Sequence, residues 1–354
     1  MNPSPNPLTI GVIGCGQWGP NYIRTFQHLP HSRVLMCSDI KEERLKYVQK
    51  TFKSIQGVRD YQKILSNPDI QAVCVSVPAS LHYQVAKDAL AAGKHVLMEK
   101  PMTTDIEQAR ELKKLSEEKN LVLMVGHVFE YNDRILKARE YIQEGYLGER
   151  IYYLHSVRTN LGPLRDDVNV MWDLGTHDLS IFLFLLQSRP LYVSARGSAY
   201  IRPELIDIAF ATLHFPDNIE AHLRVSWLDP RKVREITIVG SKRMALVDDL
   251  NNSEPIRVYD KGITQQKFYD NFGTFQYMVR HGDIRIPTFA MTEPLKNQCQ
   301  HFLECVFEQK CPRTDAEEAI RILEILMACE RSIQKGGTPV EITYSEDDKE
   351  EAQR

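Results

Sequence analysis

The chain has 354 residues, 43% hydrophobic and 26% charged, an ordinary globular composition long enough to bury a core in each of two domains. Its formal net charge of -3 excludes a global basic field of the kind that gathers nucleic acid. No apolar run approaches the roughly 18 residues of a membrane span, and the longest, Leu179–Leu186, predicts a buried helix.

The opening Met-Asn-Pro-Ser-Pro-Asn-Pro lacks the basic start and apolar stretch of a signal peptide and predicts a short loose lead. Short apolar strands then alternate with amphipathic helices. The strand candidates are Leu8–Ile13, Val34–Ser38, Ala72–Val77, His95–Met98 and Leu121–Val125. They are nearly continuous in apolar character, as parallel strands covered on both faces must be. Between them, Ser80–Ala92 places Leu81, Val85 and Ala89 on one helical stripe, with Gly93 as a stop. Thr104 and Glu107 have capping-box spacing before a helix that carries Ile106, Ala109 and Leu112. This alternation predicts a doubly wound α/β domain.

Past Gly148 the period changes. Ile219, Ala221, Leu223, Val225 and Trp227 alternate with Glu220, His222, Arg224 and Ser226, and Glu235-Ile236-Thr237-Ile238 continues the pattern. Period-two alternation predicts an open, mainly antiparallel sheet with one apolar and one polar face. Ile151–Thr159, Leu191–Ala199 and Ile208–Phe215 are further strands, and helices over Glu293–Glu308 and Asp315–Gln334 close an α+β domain. The expected division is a dinucleotide-binding domain over 1–126, with a helix over 315–336 that can pack back on it, an α+β substrate and oligomerisation domain over 127–344, and a loose charged tail over 345–354. The seven cysteines are scattered and no CxxC occurs; Cys299, Cys305 and Cys311 are evenly spaced but lack the close pairing of a zinc site. No metal is expected. Reduced thiols in a cytoplasmic protein follow.

Gly14-Cys15-Gly16-Gln17-Trp18-Gly19 fits GxGxxG directly after the first strand and before a helix, with Pro20 tolerated in its first turn. The first glycine permits a tight turn, the second lets backbone approach a pyrophosphate, and the third lets helix and strand pack closely. The helix start offers its N–H groups to the phosphates, and Gln17 and Trp18 belong to the same binding segment. Asp39 ends the second strand, where an acid accepts the hydroxyls of the adenosine ribose and repels a 2′-phosphate. NAD is therefore expected ahead of NADP, with Lys41 leaving some tolerance for the latter. Asp39 and Glu42 also have helix-capping spacing.

With Gly11–Gly19, Val77-Pro78 followed by His82, Met98-Glu99-Lys100-Pro101 and Trp172-Asp173-Leu-Gly-Thr-His177-Asp178, nearly the whole chain resembles the Gfo/Idh/MocA oxidoreductases, the family of glucose–fructose oxidoreductase and inositol dehydrogenase. The resemblance implies NAD-dependent oxidation of a sugar hydroxyl. It places Val77, Pro78 and His82 beside the cofactor, Glu99 near the nicotinamide ribose, and Lys100 beside both nicotinamide and substrate. Lys100 lies at the carboxyl end of a strand, where open α/β sheets bind ligands, and its charge suits a developing alkoxide.

Asp173 and His177 are four apart and share a helix face before the apolar run. The resemblance makes His177 the acid/base group, a role a neutral imidazole fills near pH 7, with Asp173 orienting it or the substrate and Asp178 a structural partner. Whether Lys100 or His177 takes the proton stays open at this level. Lys100, Asp173 and His177 are expected to converge at the cofactor ring.

Gly126-His127-Val-Phe-Glu-Tyr-Asn132 departs from the family pattern, so no role passes to His127, while Asn132 remains a substrate candidate. Arg165-Asp-Asp-Val-Asn169-Val-Met-Trp172-Asp173 resembles the branch acting on nucleotide sugars, particularly at C3 of UDP-N-acetylglucosamine, although a polar loop capped by Asn and Asp explains the same composition. Arg158 or Arg165 could grip a diphosphate through a planar fork. A homodimer or homotetramer through the C-terminal sheet is expected from the same resemblance. Alternatives are an inositol or simple-hexose dehydrogenase, an NAD-dependent glycoside hydrolase, and a non-catalytic dinucleotide-binding regulator.

Overall fold

The computed structural model describes residues 6–267 and 275–344. The expected loose tail, and residues 1–5 of the expected lead, lie outside the described residues. Two compact units are present: Met1–Tyr131 with Thr292–Leu323, and Asn132–Met291 with Glu324–Arg354.

The first unit begins β1 (Leu8–Ile13), α1 (Gly19–His28), β2 (Ser32–Ser38), α2 (Glu42–Thr51), β3 (Gln56–Val58), α3 (Gln62–Leu65) and β4 (Ala72–Val75). It continues through α4 (Ala79–Ala91), β5 (His95–Met98), α5 (Ile106–Glu118) and β6 (Leu123–Val125). The six strands form a parallel sheet in the order β3-β2-β1-β4-β5-β6, the Rossmann arrangement. Every residue of β1 and β4 is buried, which is why their sequences carry no alternation. Two local expectations need correction. The buried stripe of α4 runs through His82, Val85, Ala86, Ala89 and Leu90, while Leu81 is 49% exposed. The N-cap of α5 is Asp105, whose carboxylate accepts from Gln108 N at 2.9 Å, not Thr104.

The second unit opens with α6 (Asp133–Gln143) and β7 (Ile151–Leu161), followed by a π-turn over Met171–Gly175 that leads straight into α7 (Thr176–Leu186). Strands follow: β8 (Tyr192–Ser198), β9 (Ile208–Phe215), β10 (Ile219–Ser226), β11 (Leu228–Gly240), β12 (Met244–Asp248), β13 (Ile256–Tyr259), β14 (Gly262–Lys267), β15 (Phe275–Arg280) and β16 (Ile284–Arg285). In chain order α8 (Pro294–Glu308) and the first part of α9 (Ala316–Gln334) return to the first unit, and the rest of α9 and β17 (Val340–Glu341) belong to the second. A nine-stranded sheet runs β16-β13-β12-β11-β7-β10-β9-β8-β17, and its neighbours are antiparallel except β7 with β10. β14 and β15 form a separate ribbon.

The alternation of β10 maps onto the two faces. Ala221, Leu223 and Val225 are buried, and Glu220, His222 and Arg224 lie on the other side beside His214, Thr212 and Phe210 of β9. Ser226 breaks the pattern: it is fully buried, because its hydroxyl accepts from Leu228 N at 3.0 Å where the chain turns toward β11. Arg158 of β7 points to the buried side and meets Asp178 of α7.

α8 belongs to the first unit. Its Phe302 meets Phe26 of α1 edge-on at 6.4 Å, and Leu295, Cys299 and Leu303 complete the same core as Ile10, Val12 and Tyr22. Thr314 accepts the backbone N–H of Val125 through its carbonyl at 2.8 Å and donates its hydroxyl to Val125 O at 2.7 Å, fixing the end of β6. Among the described residues no helix is long and apolar enough to cross a membrane.

Candidate active site

The carboxyl edge of the parallel sheet gathers the residues expected to hold a dinucleotide. Gly14 takes φ +94°, and a Cβ there would stand 2.5 Å from Ser76 O. At Gly19 a Cβ would meet Gly14 O at 2.0 Å. Both positions are closed by backbone, so only glycine fits. Gly16 differs: a Cβ there would have only the Arg44 guanidinium within 4 Å, with Nη1 at 3.7 Å. That open side is the one a pyrophosphate must approach, and the ten-residue α1 starts three residues on. The residues present thus fit a dinucleotide. Trp18 precedes α1 and is 42% exposed, with Gln17 exposed beside it.

The turn is tied to its neighbours by Asp39 and by two side chains the sequence did not single out, Ser76 and Arg44. Ser76 donates its hydroxyl to Gly14 O at 2.7 Å. Asp39 accepts Cys15 N–H at Oδ2 (2.8 Å) and Lys41 N–H at Oδ1 (2.9 Å), and Arg44 Nη1 lies 3.2 Å from Oδ2. Asp39 therefore braces the glycine turn. It does not cap α2, whose N-cap is Lys41 without a side-chain bond, so the expected Asp39–Glu42 capping gives way to a local Asx turn.

Glu99 and Lys100 follow β5, His127 follows β6 after Gly126, and His82 lies in the first turn of α4, after β4. The buried Tyr22 hydroxyl donates to Glu99 Oε1 at 2.8 Å, and a Cβ on Gly126 would stand 3.3 Å from that same hydroxyl. Glu99 in turn pushes the Tyr22 phenol upward, after burial itself. The expected coenzyme contact at His82 is not what its ring offers. His82 is buried, with Nδ1 2.6 Å from Pro101 O and Nε2 2.9 Å from Val77 O. It braces the Val77–Pro78 loop, where α4 begins, against the segment that carries Lys100. His127 is buried, and neither ring nitrogen has a hydrogen-bond partner among the described residues. Burial, then the positive charge of Lys100, hold its pKa down at about 3. His127 is thus a neutral imidazole beside Lys100, a placement the sequence did not reveal.

The second unit holds the other predicted residues. Asp173 lies in the π-turn, a device that functional sites often use. His177 is half-buried in the first turn of α7, and the Thr176 hydroxyl between them donates to Trp172 O at 2.5 Å. The buried Trp227 donates its indole N–H to Asp173 Oδ2 at 3.2 Å, and Arg165 Nη1 reaches Oδ1 at 3.2 Å. Arg165 also grips Asp167 through Nε (2.8 Å) and Nη2 (2.6 Å); these carboxylates, with Asp167 foremost, hold its guanidinium pKa above the ordinary value.

Several substrate candidates are spent on structure. Arg158 makes a two-pronged pair with Asp178 (Nε to Oδ2 2.9 Å, Nη2 to Oδ1 3.1 Å), with both side chains buried, so its planar fork is engaged by that carboxylate. Asn132 caps α6 through Oδ1 (Arg134 N, 3.0 Å) and donates Nδ2 to Asp249 at 2.7 Å. Asn169 Oδ1 accepts the N–H groups of Met171 and Trp172 at 3.0 and 3.2 Å. The Trp172 indole donates to Glu330 Oε1 at 2.5 Å. Asn169 and Trp172 thus position the turn that carries Asp173, and nothing in the sequence near them announced Glu330.

The family model described as "Oxidoreductase family, NAD-binding Rossmann fold" matches residues 8–127, and "GFO/IDH/MocA C-terminal domain" matches residues 135–246. The UDP-N-acetylglucosamine 3-dehydrogenase of Acidithiobacillus ferrooxidans is 30% identical over 255 residues, which is 72% of this chain and 78% of that protein. A solved structure of that enzyme superposes with TM-score 0.75 at 26% identity, covering 92% of this chain and 98% of the other. The scyllo-inositol 2-dehydrogenase (NAD(+)) of Bacillus subtilis is 22% identical over 347 residues, covering 95% and 96% of the two chains. The first sheet is thus an NAD-binding Rossmann fold and the chain an oxidoreductase. Both sheets fall under models of one family, in that family's order, and an enzyme of the family shares this sequence over most of its own length. The chain therefore belongs to the Gfo/Idh/MocA oxidoreductase family.

Proposed function

We propose that this chain is an NAD-dependent dehydrogenase that oxidises a secondary hydroxyl of a sugar, most specifically C3 of a nucleotide sugar such as UDP-N-acetylglucosamine. The observation that carries the dehydrogenase reading is the head of α7, where an acid held by Trp227 and Arg165 stands four residues before a half-buried histidine. The choice of sugar rests on the similarity to UDP-N-acetylglucosamine 3-dehydrogenase.

When bound, NAD accepts the hydride and so supplies the redox half of the reaction. His177 accepts the hydroxyl proton, as a neutral imidazole does near pH 7. Asp173, fixed from two sides, orients the substrate and the imidazole. Lys100 stabilises the charge that grows on the substrate oxygen. Gly14, Gly16, Gly19 and Asp39 hold the coenzyme, with Val77, Pro78 and Glu99 lining the edge of the same sheet.

A second reading, oxidation of an inositol or simple hexose, draws on the similarity to scyllo-inositol 2-dehydrogenase along 95% of the chain and on the engagement of Arg158 and Arg165 by carboxylates, which leaves less cationic grip for a diphosphate. The test is a panel of UDP-N-acetylglucosamine, UDP-glucose, myo-inositol and glucose with NAD, followed at the nicotinamide absorbance. Reduction only with UDP-N-acetylglucosamine supports the first reading, and only with inositol or glucose the second. Products released without net NADH would point to hydrolysis instead. Lys100→Met is expected to abolish turnover while NAD still binds, and an unchanged rate removes Lys100 from the mechanism.

Association of copies through the open face of the nine-stranded sheet belongs to the same reading. Tyr153, Tyr192 and Phe210 on that face are each well exposed, which supports it, and light scattering in solution tests it. A reducing compartment, the cytoplasm, fits the seven free thiols.

A further inference from the structure

We infer that the open face of the nine-stranded sheet joins two copies of this chain about a twofold axis passing over His155, and that protons taken up there part them. The inference rests on the association proposed for that face. It adds where the axis lies and what undoes the contact.

The register lays the face out in rows. β7 is the fifth of the nine strands and so lies at the middle. Its Tyr153, His155 and Val157 stand on the open side, and Leu154, Ser156 and Arg158 on the buried one. Val157 has Arg224 of β10 opposite it on one side and Glu235 of β11 on the other. Beyond Arg224 come Phe210 and then Arg196, and beyond Glu235 comes Asp248. One half of this row is basic and the other acidic. A half-turn about an axis along β7 lays the basic half of one copy over the acidic half of another, so the occupant whose charges fit is a second copy of the same chain. Tyr153, Tyr192 and Phe210 add exposed aromatic surface of the kind that interfaces collect.

The same half-turn brings His155 against its own image. Its neighbours on the face are His222 opposite on β10, Thr237 opposite on β11, and Tyr153 and Val157 along β7. None of them is a carboxylate. His222 has Glu220 Oε2 3.3 Å from its Nε2 and the Thr212 hydroxyl 3.0 Å from its Nδ1, but Glu220 is also 3.2 Å from His214 Nδ1. Three imidazoles therefore draw on one acid. Asp229 is held by Arg224 through both oxygens, at 2.9 and 2.7 Å. Glu235, one pair further along β11, is the group that Arg224 of the other copy covers.

In a single chain water reaches this cluster, since His155 is exposed. Between two sheets that water is lost, and an imidazolium on the axis has another across from it. Burial, and then His222, already hold His155 below the ordinary imidazole value. Covering the ring lowers it further. Association is therefore complete above the value of the separated chain and is lost as the pH falls through it.

The experiment is analytical ultracentrifugation of the full chain at about pH 7.5 and about pH 5.5, with circular dichroism at both to confirm the fold. The dissociation constant of the pair is expected to rise at least about tenfold at the lower pH. His155→Gln combined with His222→Gln keeps polar side chains that take up no proton, and there the rise is expected to stay below about threefold. Dilution calorimetry of the unaltered chain at about pH 6, in buffers of different ionisation enthalpy, needs no variant; it is expected to show about one proton or more taken up per pair that separates. Absence of proton uptake, or a double variant that responds to pH as the unaltered chain does, overturns the inference. A pair equally tight at both pH values fells only this inference. A chain that stays single at the higher pH fells the proposed association along with it.

Discussion

The hydroxyl of Tyr22, in α1, donates to Glu99 at the end of β5 over 2.8 Å. The helix that follows the glycine turn and the strand end next to Lys100 are thereby locked together. A hydrogen bond to a charged acceptor contributes about 1.5–3 kcal/mol. Tyr22→Phe keeps the ring in its apolar site and is expected to lower stability by about 1–3 kcal/mol, with a severalfold weaker coenzyme constant. Urea unfolding and titration with NAD check both. A change below about 0.5 kcal/mol would mean the bond adds nothing beyond water.

The three glycines of the turn predict separable defects. Gly19→Ala drives a Cβ to 2.0 Å from Gly14 O, so the variant is expected to lose several kcal/mol or fail to fold. Gly16→Ala has room and is expected to unfold at nearly the native urea midpoint, yet to bind NAD at least about tenfold more weakly because its methyl stands on the approach of the pyrophosphate. Paired unfolding and binding curves for the two variants distinguish a packing role from a ligand role.

Arg158 and Asp178 form a buried pair between β7 and α7. Removing one partner strands a charge, so Asp178→Ala is expected to cost about 3–5 kcal/mol. Replacing both, as Arg158→Met with Asp178→Leu, is expected to cost much less, by urea unfolding. If Arg158 gripped the substrate instead, the double variant would raise KM by orders of magnitude. An unchanged KM is expected.

His127 gives the acid limb of stability a defined sign. Its folded pKa lies near 3, because of burial and then Lys100, below the unfolded value of about 6.5. Between those values the unfolded chain binds the extra proton, so this group's contribution is complete above about pH 6.5 and is lost as the pH falls toward 3. The slope from this one group approaches about 1.4 kcal/mol per pH unit. His127→Asn is expected to flatten the stability profile between pH 4 and 6, measured by unfolding at a series of pH values. An unaltered profile would place the acid sensitivity elsewhere.

Much of this was legible from residue order. β1, β5 and β9 fall on the predicted bounds, because long apolar runs or strict alternation leave one period to choose. β3, with three residues, carries too few positions to show a period. The caps were misassigned where two polar residues stood side by side, as with Thr104 and Asp105. The glycine turn could be read because its chemistry is local. The duties of Arg158, Asn132, Asn169 and Trp172 could not, since their partners Asp178, Asp249 and Glu330 come from distant chain segments. A polar side chain in a candidate loop looks the same in sequence whether it faces a ligand or an internal acceptor.

Because α8 belongs to the first unit, that unit is not finished when its six strands are made. On the ribosome, Ile10, Tyr22 and Phe26 emerge early but meet Leu295, Cys299 and Phe302 only after β7 to β16 have been translated. Until then the growing polypeptide carries an uncovered apolar surface, the kind that recruits chaperones. For the same reason, cutting the gene after Tyr131 would not liberate a self-sufficient coenzyme-binding fragment; a soluble one would have to be spliced to the segment from Thr292 to Leu323.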